Sequence, residues 1–94
     1  GPFPNTKWQI LSVVPKPKTP FNSMYMAFQP DGTLIMTTES PDGKISTTVH
    51  RYSVVGESML LSKPGSSTNV RFRVDGNTMH VDTGRASIVL EKVN

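Results

Sequence analysis

The sequence predicts an all-β domain: a single eight-stranded antiparallel up-and-down meander that closes into a small barrel. Three observations carry this prediction. Apolar residues recur at spacing two and almost nowhere at helical spacing, while Thr, Val, Ile, Tyr and Phe supply the β-branched and aromatic bias of strands. Turn chemistry punctuates the chain at short intervals, most plainly in the Asp-Gly pairs at 31–32, 42–43 and 75–76, where glycine reaches positive φ at low cost. Finally, a long run of short strands joined by hairpins must curl, pack on a second sheet or close, and closure alone removes the exposed edges.

The elements follow in order. Residues 1–4 read as a linker or the remnant of a cleavage site, with Gly1-Pro2 the clearest part of it. The first strand runs from Lys7 to Val13. A connection containing Pro15, Pro17 and Pro20 follows, which is no central strand because proline cannot donate to a ladder. The remaining strands are expected at Ser23 to Gln29, Thr33 to Glu39, Lys44 to Val54, Ser58 to Ser62, Thr68 to Val74, Asn77 to Thr83 and Ala86 to Lys92. Between them lie Asp31-Gly32, Asp42-Gly43, Gly56-Glu57, Pro64-Gly65-Ser66-Ser67, Asp75-Gly76 and Thr83-Gly84-Arg85, all short enough to pair sequence neighbours.

Alternation then assigns the faces. Met24, Met26 and Phe28 share one side, as do Leu34 with Met36, Tyr52 with Val54, and Val70 with Phe72 and Val74; Met79, Val81, Ile88 and Leu90 complete this apolar face. Arg71, Arg73, His80 and Asp82 fall on the opposite, wet face. Tyr25 and Ile35 sit on the outer face of consecutive strands and are expected to form a cross-strand pair, the alternative being an exposed apolar patch.

Composition sets limits on function. A chain of 94 residues is one small domain with a single modest core. No apolar run approaches the roughly 18 to 20 residues that span a bilayer, so no transmembrane segment is expected. A signal peptide is either lacking or already removed, since no basic region precedes a long apolar block. With no cysteine there is no disulfide, thiolate metal site or cysteine nucleophile, and the compartment stays open. Ten Lys and Arg against seven Asp and Glu give a net charge of +3. The cations are spread along the chain, which fits a solvated surface better than a nucleic-acid footprint.

Chemistry is sparse. His50 and His80 are thirty residues apart with no cysteine or helical His-x-x-x-His pattern beside them, so no metal site is read. On the alternation, His50 shares the face of Tyr52 and enters the barrel. There it is expected to bond a neighbouring hydroxyl, the alternative being contact with, or proton transfer to, a small ligand. Neither Gly-x-Ser-x-Gly nor Ser-x-x-Lys occurs, no Gly-rich phosphate loop is present, and Asp31, Asp42, Glu57 and Asp75 belong to turns. The chain therefore reads as a non-enzymatic protein without a cofactor.

The order of features resembles the small bacterial lipocalin-like domains of the calycin group. The residues that carry the resemblance are Thr6-Lys7-Trp8, Met26-Ala27-Phe28 leading into Asp31-Gly32-Thr33-Leu34, Tyr52-Ser53-Val54-Val55-Gly56, Met59-Leu60-Leu61-Ser62, Asp75-Gly76-Asn77-Thr78-Met79 and Ile88-Val89-Leu90-Glu91-Lys92. Together they cover residues 5 to 94. The chain departs from the lipocalin signature at Thr6, where that signature has glycine, and Lys92 matches its final-strand Arg only loosely. The resemblance implies a β-barrel with Trp8 plugging the closed end under a cation. It also implies an exported, extracytoplasmic bacterial protein, often a lipoprotein anchored through a segment upstream of residue 1.

Two features are candidates for binding. The barrel interior, lined by Met24, Met26, Phe28, Leu34, Met36, His50, Tyr52, Phe72 and Met79, suits a small apolar ligand because methionine adapts to irregular shapes. Eight short strands also leave an interior that side chains nearly fill, and a filled or barely hollow core is the expectation. The second candidate is the basic, Pro-rich loop from Pro15 to Asn22, a rigid spacer or a lid or partner-docking loop with Lys16, Lys18 and the apolar anchor Phe21. The function expected is a binding module for a small apolar ligand or a protein partner. The alternatives are a protease-inhibitor-type calycin domain with a filled core, and an OB-like barrel that binds nucleic acid through Arg71-Phe72-Arg73, which would need outward-facing aromatics.

Overall fold

The structure, a computed structural model, describes residues 3–94. Its strands are β1 (Thr6–Val14), β2 (Ser23–Phe28), β3 (Thr33–Glu39), β4 (Ile45–Val55), β5 (Ser58–Lys63), β6 (Ser66–Asp75), β7 (Thr78–Asp82) and β8 (Ser87–Lys92). Each pairs antiparallel with its sequence neighbours, and β8 pairs back onto β1, so the meander is a closed barrel as alternation and turn chemistry predict. Among the described residues no helix is long and apolar enough to cross a membrane.

The boundaries hold closely except at β6. Lys63 pairs with Ser66, so the hairpin consists of Pro64-Gly65 alone and β6 starts two residues before the expected Thr68. Ser66 and Ser67 look like loop residues in sequence because both are small and polar. In the barrel they are the exposed upper end of a strand whose lower end carries Val70 into the core.

Antiparallel alternation puts the β2–β3, β4–β5 and β6–β7 turns, with both chain ends, at one rim. The β1–β2 connection and the other three hairpins lie at the opposite rim. The first rim is closed. Trp8, Phe28, Leu34, Met59, Met79 and Leu90 are buried there, and each such side chain removed from water contributes roughly 1.5–3 kcal/mol before entropy is charged against it.

Phe3 belongs to this plug, which corrects the reading of residues 1–4 as a linker or remnant; Gly1 and Pro2 lie outside the described residues. Phe3 is 1% exposed, with ring centroids 4.9 Å from Phe28 and 5.1 Å from Phe72. It is folded back by a local device. Asn5 takes φ of 64°, a left-handed conformation that asparagine tolerates better than most residues, and its N–H donates to the Phe28 carbonyl at 2.8 Å. Thr6 then donates both its N–H and its hydroxyl to the Phe3 carbonyl.

Trp8 is also 1% exposed, and its indole N–H donates to the Thr6 hydroxyl at 2.9 Å. Thr6 thus supplies the partner that a buried indole N–H needs. Among the described residues the cation over an aromatic ring is Lys7 on Tyr25, 4.9 Å from the centroid, rather than one over Trp8. Tyr25 lies opposite Thr37, and Ile35 opposite Ala27, so the expected Tyr25–Ile35 pair is diagonal rather than direct; the register is fixed by Phe28 and Leu34 meeting in the core.

The other rim is staggered. β4 pairs with β3 over Ile45–Arg51 but with β5 only over Arg51–Val55, so its first residues rise past the β5–β6 hairpin. β6 pairs with β7 only from Arg71 to Asp75 and overhangs in the same way. In β1 the register slips between Ile10 and Ser12, leaving Leu11 as the extra residue of a bulge. The bulge lets Val13 return to the face of Ile10 although three positions separate them.

Candidate ligand cavity

Above the plug the barrel is hollow. A cavity of about 320 Å³ is bounded by β1, β2, β3 and β8 through Ile10, Met24, Met26, Met36, Ile88 and Leu90. The opposite wall is built by His50 of β4, Leu61 and Lys63 of β5, and Ser66, Thr68 and Val70 of β6, with Val81 and Thr83 closing the circle. The expectation of a filled or barely hollow core therefore divides along the barrel, the lower half being filled and the upper half holding this one cavity. Large aromatics fill the first, whereas the inward positions of the second carry methionine, serine, threonine and histidine.

The cavity opens toward the β1–β2 connection. A recess of about 420 Å³ shares Ile10, Met24 and Ile88 with it and is bounded by Pro17, Thr19, Pro20 and Phe21. Phe21 is half-buried, so the loop turns its aromatic residue toward the mouth of the barrel rather than to solvent. A further hollow of about 620 Å³ lies between the Ile10–Val14 stretch of β1 and the same loop, bordered by Lys16, Pro17 and Phe21. Lys18 is exposed and borders neither.

Of the interior residues singled out by sequence, Met24, Met26, Met36 and His50 come together around the cavity. Phe28, Leu34 and Met79 belong to the plug, with Tyr52 and Phe72 packed against it. Tyr52 stacks edge-on to Phe28 at 4.9 Å and donates its hydroxyl to the Gln29 carbonyl at 3.2 Å. Its phenol titrates above the ordinary tyrosine value because burial disfavours the phenolate, and the nearby Asp31 carboxylate adds to the effect. Phe72 faces inward against Phe3, leaving the outer Arg71 and Arg73 without the stacking ring that nucleic-acid barrels use.

His50 does not bond a neighbouring hydroxyl as expected. Its Nδ1 is buried with no hydrogen-bond partner, while the ring lines the cavity. An orphan nitrogen of this kind is uncommon in a native core and costs roughly 1–3 kcal/mol. His80 lies on the outer face opposite Arg73, bordering a groove with Arg71, Asp82 and Ser87. Among the described residues no group of three His, Asp or Glu side chains is placed to hold a metal.

The turn carboxylates behave as their positions predict in two cases. Asp31 accepts the Thr33 N–H at 3.0 Å, and Asp42 accepts the Ser40 hydroxyl and the Lys44 N–H, the latter at 3.1 Å. Both titrate below the ordinary aspartate value, Asp31 chiefly through bonds from Thr33 and Asp42 chiefly through the Ser40 hydroxyl, because each bond favours the ionised form. Glu57 instead sits 3.9 Å from Arg71 in an exposed ion pair.

Sequence reasoning missed Ile10, Leu61, Lys63, Ser66, Thr68, Val70, Val81, Thr83, Ile88 and Leu90 as cavity residues. Parity would have found the polar ones. Lys63 stands two positions after Leu61, and Ser66 and Thr68 stand four and two before Val70, all on the inward face. Comparison with protein-family models found no match, and comparisons with curated proteins and with solved structures found no significant match either.

Proposed function

We propose that this domain is a non-enzymatic binding module that holds one small, mostly apolar molecule in the upper half of its barrel. The observation that carries the reading is the cavity of about 320 Å³, open at one rim and walled on three strands by Ile10 and the methionines. Its size lies at the lower end of the range for small-molecule pockets. Thioether side chains repack at low cost around irregular shapes, which suits a variable ligand. The likeness to bacterial lipocalin-like domains supports the same reading and extends it to an exported protein.

Trp8 provides the test. It shares the buried core with Met26 and Leu90, which also line the cavity, so an occupant of the cavity perturbs its surroundings. Titration with the neutral fluorophore 1-aminoanthracene, read by probe emission and by Trp8 quenching, is expected to saturate at one molecule per chain. Met36→Trp, which fills the cavity from β3, is expected to weaken that binding at least tenfold while leaving the β-sheet circular dichroism unchanged. Absence of saturable binding, or equal binding by Met36→Trp, would overturn the proposal.

A further inference from the structure

One strand of the barrel has a flank that nothing covers. Residues 45–49 of β4 pair with β3 on one side, while the β4–β5 ladder on the other side stops at Arg51 and Ser62. Its next hydrogen-bonded step would set Val49 against Pro64, which has no N–H to give and lies in the turn that leads into β6. The bonding parity of β4 decides which groups are left over. The Lys44 carbonyl accepts from Ser40 and the Tyr52 N–H donates to Gly32, so even-numbered residues bond toward β3 and odd-numbered ones face away. Ile45, Thr47 and Val49 therefore turn their N–H and C=O groups outward from the sheet, and among the described residues no other backbone group meets them. Thr48 pairs with the inward Met36, so Ser46 and Thr48 face the mouth of the barrel and the odd-numbered side chains face outward. All of residues 45–49 are exposed on both faces, Ile45 at 59% and Val49 at 60%.

We infer that this edge receives an extended segment of a partner protein, which adds a strand beside β4 and carries acidic residues on either side of a short β-branched centre. The demand for a strand comes from the spacing. Donor and acceptor groups repeating at every second residue are matched by another extended backbone and by no compact ligand. The β3–β4 turn limits the added strand at one end and Pro64-Gly65 at the other, so its paired stretch spans residues 45–49. On the outer face its side chains lie against Ile45, Thr47 and Val49, where Val, Ile and Thr make favourable cross-strand pairs. Charge sets the flanks. Lys44 and Arg51 bracket the uncovered stretch, and Lys63 ends β5 just below it. The carboxylates nearby are engaged within their own turns or strands: Asp31 accepts from Thr33, Asp42 from Ser40 and Lys44, and Glu39 from the Asn22 amide. Among the described residues the one ion pair, Arg71 with Glu57, lies away from this edge. The cations at its two ends therefore favour and orient an acidic segment. The inference stands on the strand edge and is independent of the cavity and its occupant.

The test is amide hydrogen exchange by NMR on the whole chain, with the peptide acetyl-Glu-Val-Thr-Val-Thr-Val-Glu-amide as probe. In the free protein the amides of Ile45, Thr47 and Val49 are expected to exchange faster than those of Ser46, Thr48 and His50. Saturating peptide should slow the first set at least tenfold and leave the second unchanged, an alternation that a molecule in the cavity does not produce. The same peptide with Lys in place of both Glu is expected to bind at least fivefold more weakly at low salt. Thr47→Pro deletes an outward N–H and no bond to β3, a place where an edge strand tolerates proline, and it should abolish binding. A probe N-methylated at the residues that donate to β4 should lose binding to the wild type as well, which keeps the result clear of any folding defect in the variant. Absence of the alternating protection, or equal binding of the acidic and basic peptides, overturns the inference. So does protection of Ile45, Thr47 and Val49 already present without peptide and lost on dilution, which would assign the edge to a second copy of the chain.

Discussion

The two halves of the barrel are built from the same eight strands under the same alternation, yet one is solid and the other hollow. In the closed half the inward positions carry Trp8, Phe28, Leu34 and Met79, and the chain adds Phe3 from outside the sheet as a stopper. In the open half the strands stagger, the hairpins end at different heights, and the inward positions shrink to Ser66, Thr68 and Thr83 or lengthen into flexible Met24 and Met36. Stability is thereby concentrated at one rim and adaptability at the other. A barrel that keeps a cavity within so short a sheet needs this separation, because a cavity forfeits packing contacts that the rest of the core has to supply.

The sharpest way to break the contrast is to empty the plug. Phe3→Ala removes a fully buried ring that touches Phe28 and Phe72, and it is expected to cost about 3–5 kcal/mol in urea unfolding. Met36→Ala, at the half-buried wall of an existing cavity, is expected to cost less than about 2 kcal/mol, since it enlarges a space already present. Equal losses for the two would mean that the halves are energetically alike.

A smaller effect sharpens the role of Thr6. Thr6→Val keeps the shape and deletes the hydroxyl, leaving the buried Trp8 N–H without its acceptor. The expected cost is about 1–3 kcal/mol by urea unfolding, with Thr6→Ser close to wild type.

The smallest effect is on acid stability. Asp31, beside the closed rim, and Asp42, at the open one, both have folded-state pKa values below the ordinary aspartate value of about 3.9. A depressed carboxylate contributes stability that is fully present above the unfolded value and is lost as pH falls through the folded one. Unfolding midpoints are therefore expected to fall below about pH 4. Asp31→Asn and Asp42→Asn should each remove part of that acid limb, whereas midpoints that stay flat from pH 5 to pH 2 would exclude the effect.

Much of the architecture is legible in the sequence. Periodicity two and the Asp-Gly turns place eight strands in order, and the inward register of β2, β3, β7 and β8 follows from Met24, Leu34, Met79 and Leu90. The parts that escape are those governed by distant contacts or by the cavity itself. Phe3 lies between two prolines with no local pattern around it, and only its fit against Phe28 and Phe72 makes it core. Ser66, Thr68 and Lys63 break the apolar rhythm because their end of the barrel is open, so polar inward positions read as loop. The Leu11 bulge reverses the parity of β1 and hides the inward direction of Val13. Sequence thus marks the closed half more clearly than the open half, where binding is proposed.

The overhang of β4 bears on how copies of the domain meet one another. The Lys44 carbonyl and the Tyr52 N–H are both bonded toward β3, and backbone groups in an antiparallel ladder alternate sides. The N–H and C=O groups of Ile45, Thr47 and Val49 consequently point past the end of β5 into open space. Ile45 and Val49 are 59% and 60% exposed on the outer face. An uncharged, β-branched run with free backbone groups is the kind of template on which sheets grow between molecules. Here it is bracketed by Lys44 and Arg51, and like charges at both ends oppose the approach of a second such edge, as flanking gatekeepers do in other strand proteins.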